Sequence, residues 1–258
     1  MQNSNFDQLV EVMRTLRSDK GCPWDKEQTL KTLKPFLVEE CYEVWEAIEE
    51  NNPEKLKEEL GDLLFQIIFY AQVTDEQLGF NIYDVIETIK QKMIRRHPHV
   101  FGEVKVKDSQ EVLVNWEEMK KKERGTQSSA LDGVPKNLPA LLRAHRIQEK
   151  AARVSFEWEN IQQCLDKLGE EGAELREALQ EKDPNKMEEE LGDVLFALVN
   201  VARFMKINPE EALQKTIGKF IRRFQYVEAK VAEQGKTMKE TPLEETVRLW
   251  KEAKENLP

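Results

Sequence analysis

The chain repeats itself, and this constrains its fold more than any other feature. Residues 53–65, Pro-Glu-Lys-Leu-Lys-Glu-Glu-Leu-Gly-Asp-Leu-Leu-Phe, match residues 184–196, Pro-Asn-Lys-Met-Glu-Glu-Glu-Leu-Gly-Asp-Val-Leu-Phe, at an offset of 131. The same offset carries Glu39-Glu40-x-x-Glu43 onto Glu170-Glu171-x-x-Glu174. Two motifs and the spacing between them recur, so whatever supersecondary unit one copy forms, the other forms too. Downstream, Thr88-Ile89 followed by Lys92 to Arg96 resembles Thr216-Ile217 followed by Lys219 to Arg223, and Trp116 and Trp250 stand near the two ends. Between the copies, Gly125 to Gly133 is small and polar with two glycines, the composition of a linker. The expected layout is a first domain over 1–124, a linker over 125–134 and a second domain over 135–258.

Each copy reads as helix. Apolar residues fall at helical spacing over Leu30 to Glu50 and Pro53 to Val73, and again over Ile161 to Gln180 and Pro184 to Met205. The connectors Asn51-Asn52-Pro53 and Lys182-Asp183-Pro184 are short enough to make each pair an antiparallel hairpin. A third helix is expected over Ile82 to Arg96 and over Pro209 to Gln234. Only 11 glycines and 10 prolines punctuate 258 residues, which favours an all-α fold with hairpins packed in four-helix-bundle style over a turn-rich β fold.

On a helix, residues three or four apart share a face, so Glu39, Glu40 and Glu43 form one acidic patch and Glu59 and Asp62 another. An antiparallel hairpin turns these patches toward each other. Partly buried carboxylates gathered in this way raise one another's pKa unless a cation neutralises them. Oxygen-only ligands suit Mg²⁺, with Mn²⁺ as the alternative, and Mg²⁺ is commonly held by a few carboxylates together with substrate phosphates. The Glu-x-x-Asp spacing recurs with Gly61 or Gly192 inside the helix, at a cost of about 1 kcal/mol relative to alanine, which predicts close approach of another backbone or a ligand.

Glu-Glu-x-x-Glu, a spacer and then Glu-x-x-Asp resembles the signature of the MazG-type nucleoside triphosphate pyrophosphohydrolases, within the all-α NTP pyrophosphatase superfamily. The match extends over the full length, and the two-unit layout with Arg95-Arg-His-Pro-His-Val-Phe-Gly102 is similar to the longer members of that family. The resemblance implies a tandem duplication of a MazG-like unit, Mg²⁺-dependent hydrolysis of NTPs and dNTPs to monophosphate and pyrophosphate, and a homodimer. It also implies a role in nucleotide-pool control or house-cleaning. Carried over by position, it implies Glu171, Glu174, Glu190 and Asp193 as metal ligands, with Glu40, Glu43, Glu59 and Asp62 as a second set. Lys167, Lys186, Glu189, Lys219, Arg222, Arg223 and Trp250 occupy positions around the substrate. A cation and preorganised basic groups suit the charge that develops on a leaving pyrophosphate. Glu171 and Glu170 are the catalytic candidates, Glu170 to orient or deprotonate the attacking water.

The two copies are not equivalent. Lys167 aligns with Phe36 and Asn200 with Phe69, so the first copy lacks one cation and one polar side chain. Asn200 either reads a nucleobase edge or is a satisfied core amide. The second copy is expected to be the principal catalyst; the first hydrolyses another nucleotide, binds a regulator or serves dimerisation.

A formal net charge of −10 argues against sequence-independent binding to a nucleic-acid polymer. Three widely spaced cysteines make neither a disulfide framework nor a zinc site. The N-terminal residues do not read as a secretory signal and no apolar stretch is long enough for a bilayer, so no membrane association and a cytoplasmic location are expected. Two rivals are a ferritin-like di-iron protein and a helical metal- or nucleotide-binding interaction module without turnover. The first requires Glu-x-x-His pairs, which this sequence lacks.

Overall fold

The computed structural model describes residues 4–257 apart from 110, 113, 114, 117, 118 and 120–128, and among the described residues there is helix and no strand. The chain divides into two compact units, Met1–Glu123 and Arg124–Pro258. Residues 125–128 of the expected linker lie outside the described residues. Its later part is held to the second unit, where Lys150 Nζ donates to the Asp132 carbonyl at 2.8 Å.

In the first unit, α1 spans Asn5–Leu16, α2 Pro23–Glu27, α3 Lys34–Glu49, α4 Pro53–Leu78, α5 Ile82–Arg96 and α6 Pro98–Phe101. In the second, α7 spans Ala140–Ala152, α8 Ile161–Glu181, α9 Pro184–Phe204, α10 Pro209–Glu233 and α11 Leu243–Asn256. The all-α class holds, and both copies form the expected hairpin, α3 with α4 and α8 with α9. The turns share one design. Asn51 and Lys182 take left-handed backbone conformations (φ 51° and 56°), the next residue caps the following helix, and a proline occupies its first position. The Asn52 side chain accepts from Lys55 N at 3.2 Å and that of Asp183 from Asn185 N at 3.0 Å.

Two boundaries differ from the sequence reading. The first hairpin helix begins at Lys34 rather than Leu30, because Pro35 lacks an N–H and is tolerated only in a helix's first turn. Its partner α4 runs past Val73 to Leu78 and stops at Gly79, whose φ of 77° suits a residue without a Cβ. The added turn carries Glu76, which pairs with Arg17 of α1 at 2.6 Å.

In the first unit, α4 packs on α1, α3 and α5, around Met13, Leu33, Ile68, Phe69 and Val73. Burying each of these side chains contributes about 1.5–3 kcal/mol. In the second, α9 packs on α8 and α7, while α10 and α11 close over Val227, Val231, Leu249 and Ala253 with Trp250 against them. Both long hairpin helices leave an apolar stripe outside. Leu60, Leu64 and Ile67 of α4 and Leu191, Leu195 and Leu198 of α9 are 38–50% exposed, at positions related by the repeat offset. No described helix is long and apolar enough to cross a membrane.

Candidate active site

The hairpins bring the acidic motifs together. Carboxylate oxygens of Glu171 and Glu174 on α8 and of Glu190 on α9 lie within 4.8 Å of one another, and Glu40, Glu43 and Glu59 do the same in the first unit. The fourth carboxylate of each expected set, Asp193 or Asp62, is not in its triplet but stands close enough to act on it electrostatically.

The charges report this crowding. Burial raises Glu190 above the ordinary carboxylate range, and the charges of Asp193, Glu189 and Glu171 raise it further. Glu174 is raised first by the hydrogen bond it shares with Glu171, then by desolvation. In the first unit, burial raises Glu40 against an opposing hydrogen bond from Gln66, and burial raises Glu59. Carboxylates held above their ordinary range by burial, and then by one another's charges, form a site where a hard divalent cation would take the protons' place. The donor set therefore fits magnesium in either unit.

Glu171 is 8% exposed, and its Oε1 lies 3.0 Å from Lys167 Nζ, which also reaches Glu170 at 3.1 Å. These two hydrogen bonds raise the Lys167 ammonium well above the usual lysine range. Glu171, Asp193, Lys167 and Asn200 all line a cavity of about 620 Å³ in the second unit. Four expected site residues thus meet at one place. Lys186 is on the α8–α9 turn side of α9, paired with Glu181 at 2.6 Å, and Glu189 is exposed beside Glu190.

Lys219, Arg222, Arg223 and Trp250 lie on α10 and α11 and do not line this cavity. Arg223 Nε donates to the Leu257 carbonyl at 2.9 Å, and Trp250 packs 5.1 Å from Phe220. Nor does the chain itself crowd the helix-interior glycines. A Cβ at Gly61 or Gly192 would meet nothing within 4 Å, so among the described residues no other backbone makes the close approach expected there. Both glycines sit beside the exposed leucine stripe.

Sequence reasoning missed Gln148 of α7, together with Phe156 and Arg203, all of which line the cavity. Gln148 lies upstream of the motifs that match at the repeat offset, so the comparison that singled out Lys167 and Asn200 does not reach it.

The MazG nucleotide pyrophosphohydrolase domain matches this chain twice, over residues 28–101 and 159–228. Among curated proteins, the chain is 45% identical to the nucleoside triphosphate pyrophosphohydrolase/pyrophosphatase MazG of Thermotoga maritima, covering 96% of this chain and 95% of that one. It is 46% identical to the nucleoside triphosphate pyrophosphohydrolase of Escherichia coli K12, covering 97% of each. It is also 49% identical to the uncharacterized protein YabN of Bacillus subtilis, covering 97% of this chain and 52% of that one. Two copies of the domain, each built on a hairpin that converges three carboxylates, and full-length similarity place this chain in the MazG nucleotide pyrophosphohydrolase family.

Proposed function

We propose that the second unit hydrolyses nucleoside triphosphates, ribo and deoxy, to monophosphate and pyrophosphate with Mg²⁺ held by Glu171, Glu174, Glu190 and Asp193. As a family member the chain is a nucleoside triphosphate pyrophosphohydrolase. The observation that carries the placement is the junction at Glu171 and Lys167, where the carboxylate triplet meets a cavity of about 620 Å³. The first unit has its triplet too, but Phe36 stands in place of Lys167 there, packed 5.6 Å from Trp24.

Bound magnesium, or manganese in its place, would supply charge neutralisation for the phosphates and a more acidic water. The carboxylates fix where that charge sits. Lys167, already held between Glu170 and Glu171, lines the cavity beside the triplet and takes the phosphate chain, with Lys186 near Glu190 as a second. Glu170, more exposed than Glu171, accepts the proton of the attacking water. Lys219, Arg222, Arg223 and Trp250 of α10 and α11 do not line the cavity and are assigned to the part of the substrate outside it, with Glu189 at the rim.

The working form is a homodimer in the cytoplasm. Support for the dimer lies in the paired stripes Leu60-Leu64-Ile67 and Leu191-Leu195-Leu198, which a second copy would cover and a monomer leaves wet. Partner backbone at these stripes would also use the space above Gly61 and Gly192.

Incubation of the protein with a panel of NTPs and dNTPs, with Mg²⁺ and with excess chelator, tests the reading. Monophosphate and pyrophosphate that appear only with the metal are expected; diphosphate and phosphate, or metal-independent turnover, would overturn it.

A further inference from the structure

Gln148 lies on α7, remote in sequence from the acidic motifs, with only 7% of its surface exposed. Its Nε2 donates to the Phe196 carbonyl at 2.9 Å. That bond orients the amide, because a flipped side chain would set oxygen against oxygen. The Oε1 atom is buried with no hydrogen-bond partner among the described residues, and Gln148 is one of the residues that line the cavity together with Glu171 and Asp193. A buried acceptor without a donor is costly, and a ligand N–H relieves it.

Asn200 is oriented in the complementary sense. Its Oδ1 accepts from Arg203 Nε at 3.0 Å, and Arg203 is held in turn by Glu157 at 3.1 Å and by the Phe204 ring. The Asn200 Nδ2 donor is therefore the atom left for the cavity, and no described residue takes it. Phe156 and Trp158, 79% and 40% exposed, stand on the same wall as apolar surface for a flat ring.

We infer that Gln148 Oε1 and Asn200 Nδ2 are a base-reading pair, one acceptor and one donor, that holds a nucleobase through an N–H beside a ring or carbonyl acceptor. This rests on the reading of the second unit as the triphosphate site. For adenine the two groups are the 6-amino hydrogen and N1. Gln148 acts on binding and specificity rather than on the reacting atoms.

The first unit shows the same place filled. The repeat offset sets Gln66 and Phe69 where the second unit has Ala197 and Asn200. Arg17 lies 5.5 Å over the Phe69 ring and pairs with Glu76, and Gln66 Nε2 turns to Glu40 at 3.3 Å. A cavity described elsewhere in that unit, beside Val10 and Ile68, measures about 10 Å³, room for a water and not a base.

The test compares ATP with two analogues that lack a 6-amino hydrogen, purine riboside triphosphate and N6,N6-dimethyl-ATP, in the wild-type protein and in Gln148→Leu. In wild type, kcat/KM for both analogues is expected to fall about tenfold or more through KM, the scale of one lost hydrogen bond to a buried group. In Gln148→Leu the three substrates should become equivalent through a KM for ATP raised about tenfold, with helical circular dichroism unchanged. The wild-type comparison stands even if the variant does not fold. Turnover of ATP with no discrimination against the analogues, or discrimination that survives in a folded Gln148→Leu, overturns the base-reading pair alone. No Mg²⁺-dependent turnover of any triphosphate overturns the triphosphate site and the pair with it.

Discussion

The carboxylates at the hairpin have two states to choose between, protonated or metal-bound, and their pH dependence separates these. Glu40, Glu174 and Glu190 all hold protons above the ordinary value of 4.5. The folded, metal-free chain therefore binds more protons than the unfolded one at pH values above that. Its stability from these groups is present below the ordinary value and is lost as the pH rises through the raised ones. A cation competes with those protons, so Mg²⁺ should raise Tm more at pH 7 than at pH 4.5 in a melting series. Equal shifts at both pH values would contradict metal binding at these residues. The acidic triplets were legible in the sequence because helical spacing alone aligns them. Gln148 was not, since a lone glutamine on an amphipathic helix carries no signal until a neighbouring helix leaves its Oε1 buried and unpaired.

Among the elements, α1 and α7 show how one repeat was put to two uses. In α1 the Arg17 side chain, 4% exposed, reaches Glu76 at 2.6 Å and donates to the Asp25 and Gln28 carbonyls, tying α1, α2 and α4 into one piece. Arg17→Met takes one donor from the Asp25 and Gln28 carbonyls and the charge partner from Glu76, which keeps its bond from Gln72, and should destabilise the first unit by about 2 kcal/mol, below the range for a fully buried pair. Urea unfolding measures this; nucleotide turnover should stay near wild type, and an unchanged midpoint would contradict the structural role. The hairpin helices and their connectors could be read from the sequence, because proline and a capping side chain mark each start. The end of α4 could not, because the turn from Thr74 to Leu78 is polar on the outside. It is held by the distant Arg17 and by Thr74, whose hydroxyl donates to the Ala71 carbonyl at 2.9 Å.

At the scale of the whole molecule, two copies of one hairpin unit carry two carboxylate triplets and two exposed leucine stripes, yet the cavity of about 620 Å³ lies in the second unit only, among the described cavities. Duplication supplies the frame, and two of the differences between the copies, Phe36 against Lys167 and Phe69 against Asn200, fall at the second unit's cavity. If the stripes meet in a homodimer, Leu195→Glu with Leu198→Glu should shift the sedimentation coefficient from dimer to monomer, and an unchanged dimer would place the interface elsewhere. The central assignment is that the second triplet does the chemistry. It is tested most directly by measuring Mg²⁺-dependent pyrophosphate release from one NTP in wild type, Glu171→Gln and Glu40→Gln. Loss of about a hundredfold or more with Glu171→Gln, and turnover near wild type with Glu40→Gln, is expected. Loss with Glu40→Gln and retention with Glu171→Gln would contradict it and assign the reaction to the first unit.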